Sequence, residues 1–244
     1  MEAIQSADPA LVSRHDVKLG QIIAAYHDIV QNWEPETKAD GRVVRKRAVV
    51  KNEEDSFLAL KERMDEHNKK SGEIFSARDL ETAREAMMAT VPGWDMKSST
   101  VIQPNLAEQP SLVALAVALA DIGAAGFDTQ AYLKDGDAIF REENLDILDD
   151  LQNLGQVSEA KKEDYVGRMI NWNKVQVVFA KGRKSLLEKE LASLPSDETK
   201  EKVRVLFSHF DESIAVAQER ANDREARVLS GELNFESLAK EMGY

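Results

Sequence analysis

The sequence predicts an all-α protein: a multi-helix bundle with a long C-terminal antiparallel helical hairpin. Three observations lead there. Apolar residues recur at helical steps through most of the chain, two long apolar stripes flank Pro195, and nine consecutive apolar residues from Leu112 to Ala120 read as a helix buried on every side.

The hairpin, from about Ser158 to Val228, is the best specified part. In its first arm Tyr165, Met169, Trp172, Val175, Phe179, Gly182, Leu186 and Leu191 fall on one side of a helix. In the second arm Val203, Phe207, Phe210, Ile214, Ala217, Ala221 and Val228 alternate steps of four and three, with Arg224 at the position the pattern skips. Such alternation is the seam of antiparallel or coiled-coil packing. Between the arms, Pro195 stops a helix, Ser196 can cap the next, and Asp197 and Glu198 suit the positive end of its dipole. At 1.5 Å per residue each arm spans roughly 45 to 50 Å, so each needs more cover than the other provides. That cover is either the rest of the bundle or, where the seam stays open, a partner helix or a second copy. Gly182 in mid-arm marks a close crossing or a kink.

From the N-terminus, residues 10–33 read as an amphipathic helix starting near Asp8-Pro9, with Leu19, Ile22, Ile23, Tyr26, Val30 and Trp33 as its stripe. His15 and His27 are twelve apart, too far for a metal pair on one helix, and read as ordinary residues. A polar turn over 34–41 leads into the only basic cluster, Arg42, Arg45, Lys46, Arg47 and Lys51, with Val43, Val44, Val49 and Val50 compatible with either strand or helix. These five cations are the candidate phosphate contacts, although no interleaved aromatic is present to stack on a base. Residues 55–70 read as a helix, and Ser76 with Asp79 as a capping box opening another that stops at Pro92-Gly93.

Periodicity is lost from Trp94 to Pro110, which predicts three regions: an N-terminal helical region (1–95), a linker or long loop (96–110), and residues 111–244 with the apolar helix, an acidic helix and the hairpin. The apolar run ends at Asp121, well short of the ~20 residues that span a bilayer, so a core helix is expected. A membrane-active segment over 111–127 is the alternative. Residues 129–154 read as one continuous helix on which Glu142, Asp146, Asp149 and Asp150 share a face. Like charges one turn apart cost stability, so this face is solvated, docks a basic partner, or holds a divalent ion. Asp135-Gly136-Asp137 resembles the start of a calcium loop without the remaining ligands. Asn234 is a candidate cap for a short last helix docked by Phe235, Leu238 and Met242.

The 244 residues carry a net charge of −12 and no cysteine. Residues 101–160 hold 11 acids against Lys134 and Arg141, a net of −9, while residues 161–244 balance with 15 of each sign. That charge opposes general binding to nucleic acid or anionic lipid, and the missing thiols exclude disulfides and thiolate zinc sites. No leader-like segment opens the sequence, so a cytoplasmic protein is expected. No phosphate-binding glycine loop, dinucleotide fingerprint, nucleophile elbow or HExxH motif is present. His67 and the other histidines are too scattered for a catalytic dyad, and His209, between Phe207 and Phe210, reads as a core residue.

The expectation is therefore a cofactor-free, non-catalytic protein-protein interaction module, an adaptor, scaffold or inhibitor. It would bind a protein, possibly a basic one, or a second copy, through the acidic face or the hairpin seam. The alternatives are a nucleic-acid-associated regulator using residues 42–51 and a helical pore-forming component using residues 111–127.

Overall fold

The computed structural model describes residues 1–37 and 43–244. The chain is all-α as expected: helices carry the fold, and the described strands form two small two-stranded sheets. It divides into two compact units, one of Met1–Glu34, Arg47–Gly123 and Ser185–Phe207, the other of Pro35–Lys46, Ala124–Lys184 and Ser208–Tyr244.

The first unit opens with α1 (Glu2–Ala7) and α2 (Arg14–Tyr26). A capping box between Ser13 and Asp16 starts α2 where the side chains can hold the first unpaired N–H groups. The helix expected over 10–33 is thus shorter at both ends. His27 Nδ1 lies 2.7 Å from the carbonyl of Ala24, and beyond it the backbone N–H groups of Val30 and Asn32 are taken by Ser56 Oγ and Asn52 Oδ1. Residues drawn into those bonds cannot continue the helix, and Trp33 instead begins strand β1 (Trp33–Thr37), paired with β2 (Val43–Arg47). Within the described residues 43–51 the ambiguity resolves as strand from Val43 to Arg47 and helix from Lys51, where α3 (Lys51–Ser71) begins.

Helix α4 (Ala77–Ala89) has the predicted Ser76–Asp79 capping box. Residues 93–102 form a hairpin of β3 (Gly93–Asp95) and β4 (Thr100–Ile102), with Trp94 opposite Val101. Its turn is closed by Asp95, whose carboxylate accepts from the backbone of Lys97 and Ser98. Helix α5 (Leu112–Asp121), capped by Ser111, is the core helix its composition demands, and it packs on α2 and α4. Ala114 and Ala118 of α5 and Ala83 and Ala86 of α4 are fully buried in one cluster with Leu19, Ile23, Leu60, Met64 and Met87. Small residues permit close helix approach, and each buried large side chain contributes about 1.5–3 kcal/mol.

The second unit contains α6 (Ala124–Phe127), α7 (Thr129–Glu143), α8 (Leu145–Leu151), most of α9 (Glu159–Leu191), then, after α10 (Asp197–Leu206) of the first unit, α11 (Phe210–Leu229) and α12 (Phe235–Glu241). Ser196 caps α10 and Asn234 caps α12, both as predicted. The second arm of the hairpin is interrupted at Phe207–His209, where the N–H of Phe207 turns back to Arg204 and that of His209 bonds the carbonyl of Gly126. His209 is accordingly a half-exposed residue 2.9 Å from Glu212, and not the core histidine expected. The first arm holds as one helix, and Tyr165, Met169 and Ile170 pack with Phe140, Ile147, Phe235, Leu238 and Met242.

Three polar residues of α9, Asn173, Gln176 and Arg183, are buried within the stripe. Two of them belong to a network around Asp137 of α7. Arg220 grips that carboxylate with both terminal nitrogens, at 3.1 and 3.3 Å, and also bonds Gln176. Arg224 stands 3.7 Å from the same carboxylate, donates to Asn173 Oδ1 at 2.8 Å and to the carbonyl of Glu241 at 3.0 Å. The apparent interruption of the seam at Arg224 is therefore a buried part of it. A Cβ at Gly136 would clash with the buried Gln176 side-chain amide, which explains the glycine between the two aspartates.

Removing one partner of a buried ion network strands the other charge. Asp137→Ala is expected to lower unfolding free energy by about 3–5 kcal/mol in urea titration, and Gly136→Ala by about 1–3 kcal/mol through overpacking. A loss below about 1 kcal/mol for Asp137→Ala would place the arginines in water.

Candidate functional site

The acidic stretch is divided between two helices. Asn144, with φ −122° and ψ 55°, interrupts the expected continuous helix, leaving Glu142 on α7 and Asp146, Asp149 and Asp150 on α8. The four carboxylates therefore do not lie along one helical face. Arg168 forks onto Asp146 at 2.7 and 3.0 Å. Asp150 accepts from the Tyr165 hydroxyl at 2.7 Å and from Lys161 at 2.5 Å. Burial raises the carboxyl of Asp150, but its bonds to Lys161 and Tyr165 outweigh that and hold it below the usual range. Burial together with the Asp150 bond pushes the Tyr165 phenol up to about 12. Glu142 and Asp149 remain exposed, and neither carboxylate has an ion-pair partner among the described residues.

The basic cluster is similarly divided. Arg42 lies outside the described residues. Arg45 donates to the carbonyl of Glu142 at 3.4 Å, Arg47 pairs with Asp28 at 2.9 Å, and Lys51 pairs with Asp55 at 2.7 Å. Lys46 is exposed.

An open groove of about 350 Å³ lies where the seam ends, lined by the first turns of α9, the last turn of α11 and the start of α12. Val166, Val228 and Phe235 supply its apolar lining, and Glu159, Glu163 and Glu236 supply carboxylates, with Lys162 bonded to Glu159 at 2.8 Å. After α11 the chain reverses through Gly231, whose φ of +78° suits glycine, and the N–H of Leu233 returns to Arg227. This turn brings α12 against α9, and Leu229, next to Val228, is 82% exposed. A smaller hollow of about 190 Å³ beside Trp172 contains Arg168, already engaged by Asp146 and Asn144.

The first unit holds a different cluster, at the ends of two helices. His27, just past α2, directs Nε2 at Asp121 Oδ1, 3.2 Å away on the last residue of α5, and at Asp28 Oδ2, 3.4 Å away. Each outer atom has its own partner: Nδ1 of His27 meets Ala24 O, Oδ1 of Asp28 accepts from Gln31 at 2.7 Å and Arg47 at 2.9 Å, and Oδ2 of Asp121 accepts from Gln103 at 3.1 Å. The bond to Asp121 raises His27 to about 9; burial opposes this, and the charges of Asp121 and Asp28 add to it. Among the described residues this is the one group of three side chains whose possible metal-ligand atoms all lie within 4.8 Å of one another. Sequence spacing misses it because His27 and Asp121 are separated by 94 positions. His15, by contrast, pairs with Asp79 at 2.9 Å, and His67 packs edge-on against Phe75.

No protein-family model, no curated protein and no solved structure matches this chain.

A histidine pKa raised on folding stabilises the protein fully below the unfolded value of 6.5, and that contribution is lost as pH rises through about 9. Urea unfolding between pH 6 and 10 is expected to lose up to about 3 kcal/mol over that window. In His27→Gln the same profile should be flat there; an unchanged decline in the variant would assign it to other groups.

Proposed function

We propose that the protein is a non-catalytic interaction module whose second unit binds a basic segment of a partner protein carrying apolar side chains. The observation that carries this reading is the open groove at the end of the hairpin seam, where Val166, Val228 and Phe235 lie beside Glu159, Glu163 and Glu236. Apolar burial supplies affinity and the surrounding carboxylates select a cationic partner and steer its approach. Glu142 and Asp149 add negative potential on the same unit. The net charge of −12 favours the same class of partner.

The other readings have less support. Two cations of the 42–51 cluster are already paired with Asp28 and Asp55. Val113, Ala114, Leu115, Val117, Ala118 and Leu119 of α5 are buried, and no helix among the described residues is long and apolar enough to cross a membrane.

Affinity capture from source-cell lysate tests the proposal with three baits: the intact chain, Glu163→Lys with Glu236→Lys, and Glu142→Gln with Asp149→Asn. The expected result is one specific protein, crosslinked to a photoreactive residue placed at Leu229, retained by the third bait and reduced at least about tenfold, or 1.4 kcal/mol, by the second. Equal capture by all three baits would remove the groove from consideration.

A further inference from the structure

We propose that His27, Asp28 and Asp121 form a binding site for a divalent transition-metal ion of the zinc type. The site belongs to the first unit and is separate from the groove proposed for the partner.

The first argument is distance. Zinc binds imidazole nitrogen and carboxylate oxygen at about 2.0–2.2 Å. Two ligand atoms each about 2.1 Å from one ion therefore stand roughly 3.0 Å apart at a right angle and roughly 3.4 Å apart at a tetrahedral angle. The separations from His27 Nε2 are 3.2 Å to Asp121 Oδ1 and 3.4 Å to Asp28 Oδ2. Both carboxylate oxygens thus stand from Nε2 at the spacing of a shared coordination sphere, and the three atoms lie within 4.8 Å of one another.

The second argument is the outer shell, which is independent of the cluster itself. A ligating histidine characteristically donates its other ring N–H to a carbonyl or carboxylate, and ligating carboxylates are themselves hydrogen-bonded. The Ala24 carbonyl at 2.7 Å takes Nδ1–H, which leaves Nε2 as the ligand nitrogen. Gln31 and Arg47 occupy Oδ1 of Asp28, and Gln103 occupies Oδ2 of Asp121, so the second oxygen of each carboxylate is the one turned toward Nε2. Four partners from outside the triad thus hold the outer atoms and leave Nε2 and the two oxygens nearest it as the donors.

The third argument is donor chemistry and access. One imidazole and two carboxylates match zinc-type ions, whereas calcium takes six to eight oxygens and magnesium near-ideal octahedral oxygen geometry. The side chains of His27 and Asp121 are 22% and 20% exposed and that of Asp28 is 47% exposed, so the cluster is recessed yet open to an entering ion and to water in the remaining positions.

Equilibrium dialysis and isothermal titration of the full chain at pH 8 with Zn²⁺, together with the visible absorption of bound Co²⁺, provide the test. One ion per chain is expected, with affinity falling beyond about a hundredfold in His27→Gln and Asp121→Asn, and about tenfold in the positioning variant Gln103→Ala. His15→Gln, which alters the other histidine–aspartate pair, should bind as the intact chain does. Circular dichroism and the Gln103→Ala variant keep the test valid if a ligand variant unfolds. Absence of binding, binding unchanged in His27→Gln and Asp121→Asn, loss in His15→Gln alone, or preference for Mg²⁺ or Ca²⁺ would each overturn the assignment.

Discussion

A single buried carboxylate, Asp137, fixes the second unit. It draws two guanidinium groups from α11, and through Gln176 and Asn173 it engages α9. Burial is the larger effect and raises its pKa above the usual carboxylate value, and Arg220 and Arg224 oppose that rise. A purely apolar seam tolerates sliding by a turn, since one leucine or alanine resembles the next. A bidentate ion pair with buried amide partners has one satisfactory geometry, and it sets the register in which α7, α9 and α11 meet. Replacing such a network with apolar residues often costs nothing in stability, so its effect here is specification of the packing.

The same register carries through to the C-terminal end of α11. With Arg224 tied to the carbonyl of Glu241 and Arg227 bonded to Glu232 and Glu241, the chain after Gly231 is held back against the bundle. Leu233, Phe235, Leu238 and Met242 then fill the core around Tyr165 and Met169. The groove exists because this last helix covers only part of the seam, leaving Val166 and Val228 beside three carboxylates. Its apolar lining and its acidic character thus arise from the same packing that completes the core.

In the first unit the determining feature is where helices stop. Asn52 exchanges hydrogen bonds with the backbone of Asn32 in both directions, and Ser56 takes the N–H of Val30. These bonds end α2 and place His27 and Asp28 at the end of α5, where Asp121 terminates the apolar run. An aspartate that reads as the hydrophilic limit of a core helix becomes the partner of a histidine. The two aspartates remain close because an imidazole stands between them, and the amides and guanidinium behind them hold their remaining oxygens.

Local signals were legible wherever one side chain acts on its own backbone. The capping residues Ser76, Ser196 and Asn234, the break at Pro195 and the buried helix from Leu112 follow from composition and spacing, because caps and periodicity are properties of a few neighbouring residues. Asp146 and Asp150 were visible as acids but not as partners of Arg168 and Lys161, since spacing along a presumed continuous helix could not anticipate the break at Asn144. Arg224 was visible only as a flaw in a stripe. Its counter-ion is on another helix, as is that of His27, and charges pair according to distance in space. The all-α class, the helical hairpin and the acidic surplus follow from residue order and composition. Tertiary structure alone decided which charges are buried together, which remain in water and where the seam stays open, because those depend on contacts between residues far apart in the chain.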